Sequence, residues 1–372
     1  MTASIRILYD HQVWQMQTRG GISRYFVEVA KRLCATENVE VSVFAGLHHN
    51  EHLRSWAVGT PMPVLGSYIK SFPKTGLLRR TCNEVLYRLY LRTQTNGWNV
   101  FHPTYYRICK APAGSVTVVT VFDMIHELFP HLFRDSVEMF SWKKKAIQMA
   151  DRVIAISTST KNDLVSLMDI PPDRVLVIPL ANSLQFDHVE SSGMSGPYIL
   201  YVGDRRAPYK GFDLLLQVFA GSPYARSGFT LVAFGGGPVN PAELERIQAL
   251  GLTGKVRQRS GDDRTLAGFY KSATAFVSPS LYEGFGIPLL EAMHWGCPVI
   301  ASNTSSVPEI VGSAACLFEP QSAEALADAL NRVLGDSTYR RSLVAAGIQR
   351  EREFSWDKTA RATLDVYQSV VD

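Results

Sequence analysis

Ser280-Leu281-Tyr282-Glu283-Gly284-Phe285-Gly286-Ile287-Pro288-Leu289-Leu290-Glu291 sets two carboxylates eight positions apart across a glycine turn and a helix start. Just upstream, the apolar run 273–277 reads as a buried strand. Gly284 and Gly286 allow a tight turn, and Pro288 suits the first turn of a helix running toward Trp295. The free amides and positive dipole end of such a helix point into the crevice beyond the strand, where a diphosphate is stabilised. Glu283 in the loop and Glu291 one turn into the helix offer carboxylate acceptors to sugar and ribose hydroxyls. Glu291 also has a purely structural reading, since a carboxylate near a helix start gains about 0.3 to 1 kcal/mol from the dipole.

Working outward, 372 residues are enough for two domains of ordinary size, each with its own core. A hydrophobic share of 46% and a charged share of 19% describe a globular protein rather than a disordered one. No apolar run approaches the roughly 20 residues that span a bilayer. The opening Met1-Thr2-Ala3-Ser4-Ile5-Arg6 has no signal-peptide pattern, so a cytoplasmic protein is the default expectation. Five scattered cysteines without C-x2-C spacing read as reduced, mostly buried thiols. A net charge of +4 does not mark a nucleic-acid binder, and no nucleic-acid partner is expected.

Short strand-like runs alternate with amphipathic helices along the chain, the pattern of α/β layers on parallel sheets. In the first half the expected strands are 5–9, 39–45, 99–102, 116–122, 153–157 and 175–179. In the second half they are 198–202, 229–234, 255–258, 273–277, 299–301 and 316–318. The clearest helix, 23–33, carries Tyr25, Phe26, Val29, Ala30 and Leu33 on one face after the turn Gly20-Gly21-Ile22. The polar, small-residue run 187–196 reads as a linker between domains 1–186 and 197–352. Residues 354–357 open a last helix with apolar positions Ala360, Leu364, Val366 and Tyr367.

The second half begins with a strand ending at Gly203, followed by Asp204-Arg205-Arg206-Ala207-Pro208-Tyr209-Lys210-Gly211. A departing nucleoside diphosphate builds negative charge, which an Arg gripping two oxygens and a Lys point charge would neutralise. Solvated loop charges are the plain alternative. Gly235-Gly236-Gly237 ends another strand, but Asn240 breaks any G-x-G-x-x-G pattern, so a nicotinamide cofactor is not supported.

The opening stretch, continued by Ala292-Met293 and Gly296-Cys297-Pro298-Val299-Ile300-Ala301-Ser302, resembles the E-x7-E motif of retaining GT-B glycosyltransferases, specifically glycosyltransferase family 4. Gly20-Gly21-Ile22-Ser23-Arg24-Tyr25-Phe26 and 201–210 look closest to mannosyltransferases of O-antigen assembly. The resemblance implies a GT-B fold: two doubly wound Rossmann-like domains facing across a cleft, with residues 353–372 crossing back to the N-terminal domain. It implies an acceptor-binding first domain and a donor-binding second domain, no cofactor beyond the nucleotide-sugar co-substrate, and no metal. Arg205 and Lys210 match the family's diphosphate ligands best, with Arg206 a one-residue alternative. Glu283 then contacts the donor sugar, Glu291 the ribose, and the amides of Phe285, Gly286 and Ile287 the sugar or phosphate, with Tyr282 and Gly284 alongside. Gly20 and Gly21 let the donor approach the backbone of the first domain. Transfer with retention follows, by front-side attack under domain closure.

The segment Phe122-Asp123-Met124-Ile125-His126 follows a strand and departs from the family, where many relatives show His-Asp at the positions of Phe122-Asp123. Asp123 and His126 are the remaining catalytic candidates there; His11 and His102 are weaker ones for acceptor contact. Asp262-Asp263-Arg264 reads as a helix cap rather than a D-x-D metal site. Residues 68–92 interleave Lys70, Lys74, Arg79, Arg80, Arg88 and Arg92 with apolar and aromatic residues, Phe72 among them. That fits either peripheral attachment to an anionic leaflet on the inner face of the plasma membrane or a helix packed on its domain. Lys143-Lys144-Lys145 adds positive charge. The expected activity is transfer of a hexosyl unit, mannose or deoxy-mannose from a GDP-sugar, to a saccharide or lipid-linked saccharide such as those of lipopolysaccharide. A UDP-sugar transferase, a GT-B epimerase and a non-catalytic partner subunit are the alternatives.

Overall fold

A computed structural model describes residues 4–57, 64–70, 76–94 and 97–371. The chain divides into two compact units, Met1–Leu180 with Trp356–Asp372, and Ala181–Ser355.

The first unit is built on a parallel sheet of seven strands: β1 Ile5–Tyr9, β2 Val39–His48, β3 Val64–Tyr68, β4 Val100–His102, β5 Val116–Val121, β6 Arg152–Ala155 and β7 Val175–Val177. They lie in the order β3-β2-β1-β4-β5-β6-β7. The sequence reading gave six of these. β3 went unread because Val64-Leu65-Gly66-Ser67-Tyr68 is short and mixed in polarity, as an edge strand can be. Its pairing extends β2 to His48 through an irregularity between Phe44 and Gly46. All five apolar positions expected on the helix Gly21–Cys34 are buried. The helix Trp356–Val371 packs against it, with Ala360, Leu364, Val366 and Tyr367 inward. The Tyr367 hydroxyl sits 3.1 Å from the Tyr9 hydroxyl and 2.6 Å from His102 Nδ1, deep under β1 and β4. The chain's last helix therefore completes the first unit.

The second unit has six parallel strands: β8 Tyr198–Val202, β9 Thr230–Phe234, β10 Val256–Arg259, β11 Ala275–Ser278, β12 Val299–Ser302 and β13 Ala315–Phe318. The order is β10-β9-β8-β11-β12-β13. Leu215, Phe219, Leu231, Val277, Ile300 and Leu330 belong to its core, and each is buried. Residues 187–196 lie along the helix Asp263–Ser272, where Arg264 donates to the His188 carbonyl at 2.6 Å. A Cβ on Gly268 would stand 2.3 Å from the Glu190 carbonyl oxygen, so only glycine admits this run so close. This stretch thus packs within the second unit, and the division itself falls between Leu180 and Ala181.

Both sheets change direction of growth at one point, between β1 and β4 and between β8 and β11. In doubly wound sheets the crevice beyond the strand ends at that point is where ligands bind. The loop after β8 holds Arg205 to Lys210, and the loop after β11 holds Glu283. Strand order therefore brings together segments 73 residues apart in sequence.

Candidate active site

Lys210 Nζ donates to both carboxylate oxygens of Glu283, at 2.8 and 2.9 Å. Ser280 Oγ donates to Glu283 Oε1 at 2.7 Å, the Glu283 N–H donates to Ser305 Oγ at 2.9 Å, and Ser306 Oγ donates to the Glu283 carbonyl at 2.8 Å. Glu283 is thus fixed at side chain and backbone alike. The pair is partly exposed, Lys210 at 24% and Glu283 at 15% of their side chains, so it is reachable from solvent. The two loops are also joined by main chain: Leu281 N–H donates to the Tyr209 carbonyl at 2.7 Å. Gly211, at φ 68°, closes on Pro279, whose carbonyl oxygen would lie 2.1 Å from an added Cβ.

The helix foretold after the glycine turn runs Ile287–His294. Gly286 is its N-cap at φ 97°, with no side-chain cap, and Pro288 lies in the first turn. Gly284 has no positive φ, so of the two glycines only Gly286 needs the left-handed region. Tyr282 and Phe285 are buried and wedge the turn into the domain. Glu291 is buried, and Tyr270 Oη donates to its Oε2 at 3.1 Å.

Arg205 is not free to grip a diphosphate in this arrangement. Its guanidinium donates to the carbonyls of Gly235 at 2.7 Å and Gly237 at 2.9 Å, and to Glu243 Oε1 at 3.0 Å, with the side chain 2% exposed. Gly235, Gly236 and Gly237 all have positive φ, at 92°, 67° and 70°. Three successive left-handed residues leave carbonyls that no ladder satisfies, and Arg205 supplies the donors. Arg206 projects outward, 57% exposed, paired with Asp204 at 2.9 Å.

In the first unit Gly20 caps the helix Gly21–Cys34 without a side-chain cap, while Gln17 Oε1 accepts from the Ser23 N–H at 3.1 Å. Gly20 has extended backbone at φ 173°, so a left-handed turn is not its reason. Phe122, where the resemblance leads to an expectation of His, is buried against Tyr25 at 5.4 Å and Phe26 at 6.1 Å, a core residue. Asp123 Oδ1 accepts from the Ile125 N–H at 3.2 Å. The His126 ring lies 4.2 Å from the Phe133 ring, and its Nε2 is 3.9 Å from Asp135. His102 is wholly buried, Nδ1 against Tyr367 and Nε2 3.0 Å from Thr120 Oγ1; burial pulls its pKa down to about 3. It is structural rather than an acceptor contact. Lys143 is also structural: its ammonium is buried, 2.8 Å from Glu127, and adds nothing to the surface charge. Asp262 caps its helix as expected, accepting from the Thr265 N–H at 2.8 Å.

Ser305, Ser306 and Tyr270 carry no signal in the sequence, and Ser280, though part of the quoted stretch, has no role assigned from sequence. Ser280 stands three residues before Glu283, and Ser305-Ser306 follow β12 as Glu283 follows β11, a signal visible only once strand order is known.

Residues 19–182 match the profile described as Glycosyltransferase Family 4, and residues 185–350 match Glycosyl transferases group 1. The chain belongs to the family 4 glycosyltransferases, as the E-x7-E stretch implied. Among curated relatives, O-antigen chain mannosyltransferase B of Escherichia coli is 29% identical over 60% of this chain and 62% of its own length. The serotype-specific mannosyltransferase WbdA of Escherichia coli is 29% identical over 68% of this chain and 34% of its own length. The chain thus spans under two thirds of both. Anabaena Alr3699/HepE, solved in complex with UDP and glucose, shares the fold at TM-score 0.75 and 18% identity, over 98% of this chain and all of that one. The two parallel-sheet units are those of a GT-B protein.

Proposed function

We propose that the protein moves a hexosyl unit from a nucleoside diphosphate sugar to a saccharide or lipid-linked saccharide with retention, using the second unit for the donor and the first for the acceptor. The observation that carries this reading is the Lys210–Glu283 pair held at the β8/β11 switch point. Its chemistry suits the reaction. A diphosphate arriving there competes for the ammonium of Lys210, and Glu283, released from that pair, turns its carboxylate to sugar hydroxyls. The uncapped helix start at Gly286 and the outward Arg206 add positive potential for the leaving diphosphate. Arg205 acts through the glycine turn it clips rather than on phosphate. Glu291 is assigned to the ribose, and Tyr282, Phe285 and Ile287 to shaping the turn. Gly20, Gly21, Asp123 and His126 are assigned to the sugar side of the first unit.

The mannosyltransferase names of the relatives support GDP-mannose as donor; the UDP and glucose in the Anabaena structure support the UDP-sugar alternative. Peripheral membrane attachment is supported by the helix Gly76–Thr93, where Leu77, Leu78, Val85, Leu86 and Leu89 are all exposed beside Arg80, Arg88 and Arg92. Phe72 and Lys74 of that segment lie outside the described residues. No described helix is long and apolar enough to cross a membrane.

The test is a thermal-shift comparison with GDP, UDP, ADP, dTDP and CMP, each with and without EDTA. A nucleotide at 100 times its dissociation constant raises stability by about 2.7 kcal/mol. A GDP-selective, EDTA-insensitive shift supports the mannosyl-type reading, and a UDP-selective one overturns the donor. No shift with any nucleotide overturns the proposal in favour of a non-catalytic subunit.

A further inference from the structure

A cavity of about 580 Å³ opens in the first unit at the other switch point, between β1 and β4. His11 and Gln12 reach it from the loop after β1, Arg107 from the segment after β4, Arg80 and Arg88 from the helix Gly76–Thr93, and Trp142 and Lys145 from the helix Ser136–Met149. Four cations against one carboxylate, Glu84, line it. Glu84 is already bonded to Arg88 at 2.9 Å. Among the described residues no carboxylate pairs with Arg80, Arg107 or Lys145.

The charge is held in place rather than left to solvent. The Arg107 guanidinium lies 3.8 Å over the Trp142 ring. Its backbone is fixed by the Gln12 side chain, whose Nε2 donates to the Arg107 carbonyl at 2.9 Å and whose Oε1 accepts from the Arg107 N–H at 3.0 Å. Gln12 Nε2 is in turn anchored on Asp10 Oδ2 at 2.6 Å. Burial, then the neighbouring Arg80 guanidinium, holds the Arg107 pKa below its usual value, only partly offset by the Glu138 carboxylate. Two guanidinium groups close enough to repel cost stability until an anion joins them. At the inner wall His11 is 2% exposed, its Nδ1 has no hydrogen-bond partner, and burial lowers its pKa against the opposing pull of Asp10 and Glu84. An imidazole nitrogen without a partner beside a cationic cluster offers a contact for a hydroxyl next to a phosphate.

We propose that this pocket binds a phosphate or diphosphate group borne by the acceptor, with Arg80, Arg107 and Lys145 on the phosphate oxygens and His11 on an adjacent hydroxyl. The inference deepens the glycosyltransferase reading and rests on it for the word acceptor. The phosphate chemistry is shared by a soluble sugar phosphate and a lipid-linked diphosphate.

The experiment titrates the full chain, its nucleotide site saturated, with inorganic pyrophosphate, glucose 1-phosphate and geranyl diphosphate. Arg80→Ala and Lys145→Ala, both at the pocket surface, are each expected to weaken binding about 10-fold or more. Their melting temperatures and nucleotide affinities are expected to stay unchanged, and Lys210→Ala to leave anion binding unaltered. Tighter binding of geranyl diphosphate than of pyrophosphate assigns a lipid carrier; tighter binding of glucose 1-phosphate assigns a soluble sugar phosphate. Anion affinities equal in wild type and both variants, or no binding at millimolar concentration, overturn the proposal. Failure of the glycosyltransferase reading is a separate result: no nucleotide binding, with anion binding intact.

Discussion

The backbone N–H of Leu281 meets the carbonyl of Tyr209 at 2.7 Å, tying the loop that carries Glu283 to the loop that carries Lys210. Beside it Gly211 and Pro279 approach so closely that the joint has no room for a side chain. The site is therefore a property of two loops fixed to each other, and the Lys210–Glu283 pair is its polar edge.

Gly211→Ala puts a methyl 2.1 Å from the Pro279 oxygen on a residue at φ 68°. Strain and clash together are expected to cost about 2 to 4 kcal/mol. Calorimetry on this variant should show a melting temperature several degrees lower. Gly237→Ala, with open space around its Cβ, should lose only about 1 kcal/mol from its positive φ. Equal melting points for the two variants would remove the joint from the account.

Lys210→Ala and Glu283→Gln each break the pair while leaving the main-chain joint intact. Sugar transfer is expected to fall on the order of 10²-fold or more in kcat/KM, as for loss of a preorganised charge contact. Steady-state rates with the donor found by thermal shift decide the matter, and wild-type rates in Lys210→Ala would refute its role.

Arg205 and Arg206 should separate cleanly. Arg205→Ala removes two donors from the glycine turn and the cation paired with Glu243, so about 2 to 4 kcal/mol of stability should be lost. Arg206→Ala should leave the melting temperature alone and raise KM for the donor. The reverse pattern, a stable Arg205→Ala protein with weakened donor binding, would return Arg205 to the diphosphate.

Acid should weaken the first unit. His102 has a folded pKa pulled down to about 3 by burial, against an ordinary value of 6.5. Below pH 6.5 the unfolded chain binds a proton that the folded unit does not, so stability is full above 6.5 and falls progressively toward pH 3. His48, lowered to about 4 by burial, acts in the same direction. Melting temperature against pH for wild type and His102→Gln should show a shallower acid slope in the variant; parallel curves would assign the slope elsewhere.

Membrane attachment has its own readout. Leu78→Ser with Leu86→Ser and Leu89→Ser removes three exposed leucines of the helix Gly76–Thr93. Flotation with anionic phosphatidylglycerol vesicles should retain wild type and release this variant, with rising salt weakening the wild type as well. Equal flotation of both proteins would leave that face without a membrane role.

Much of this arrangement was legible beforehand because its signals are local. Alternating strand and helix periods marked twelve of the strands, and Pro288 after Gly286 marked the helix start at Ile287. β3 gave no such signal, since its hydrogen bonds come from an edge pairing with β2 that composition does not encode. Arg205 shows a different blindness. Its residue type and spacing suit a phosphate, yet the left-handed turn at Gly235 to Gly237 needs its donors, and that demand comes from a neighbouring strand end.

Local signals suffice for the two doubly wound units, the glycine turn between Glu283 and Glu291, and the family 4 resemblance, because periodicity and turn chemistry act over a few residues. Which cations remain available is set by the folded arrangement. Lys143 is consumed by buried Glu127 and Arg205 by the glycine turn, while Arg80, Arg107 and Lys145 meet around one cavity whose lining carboxylate, Glu84, is bonded to Arg88. The reason is physical: a charge's role depends on its partner and its desolvation, and both are set by strand order across tens of residues rather than by neighbours in the chain.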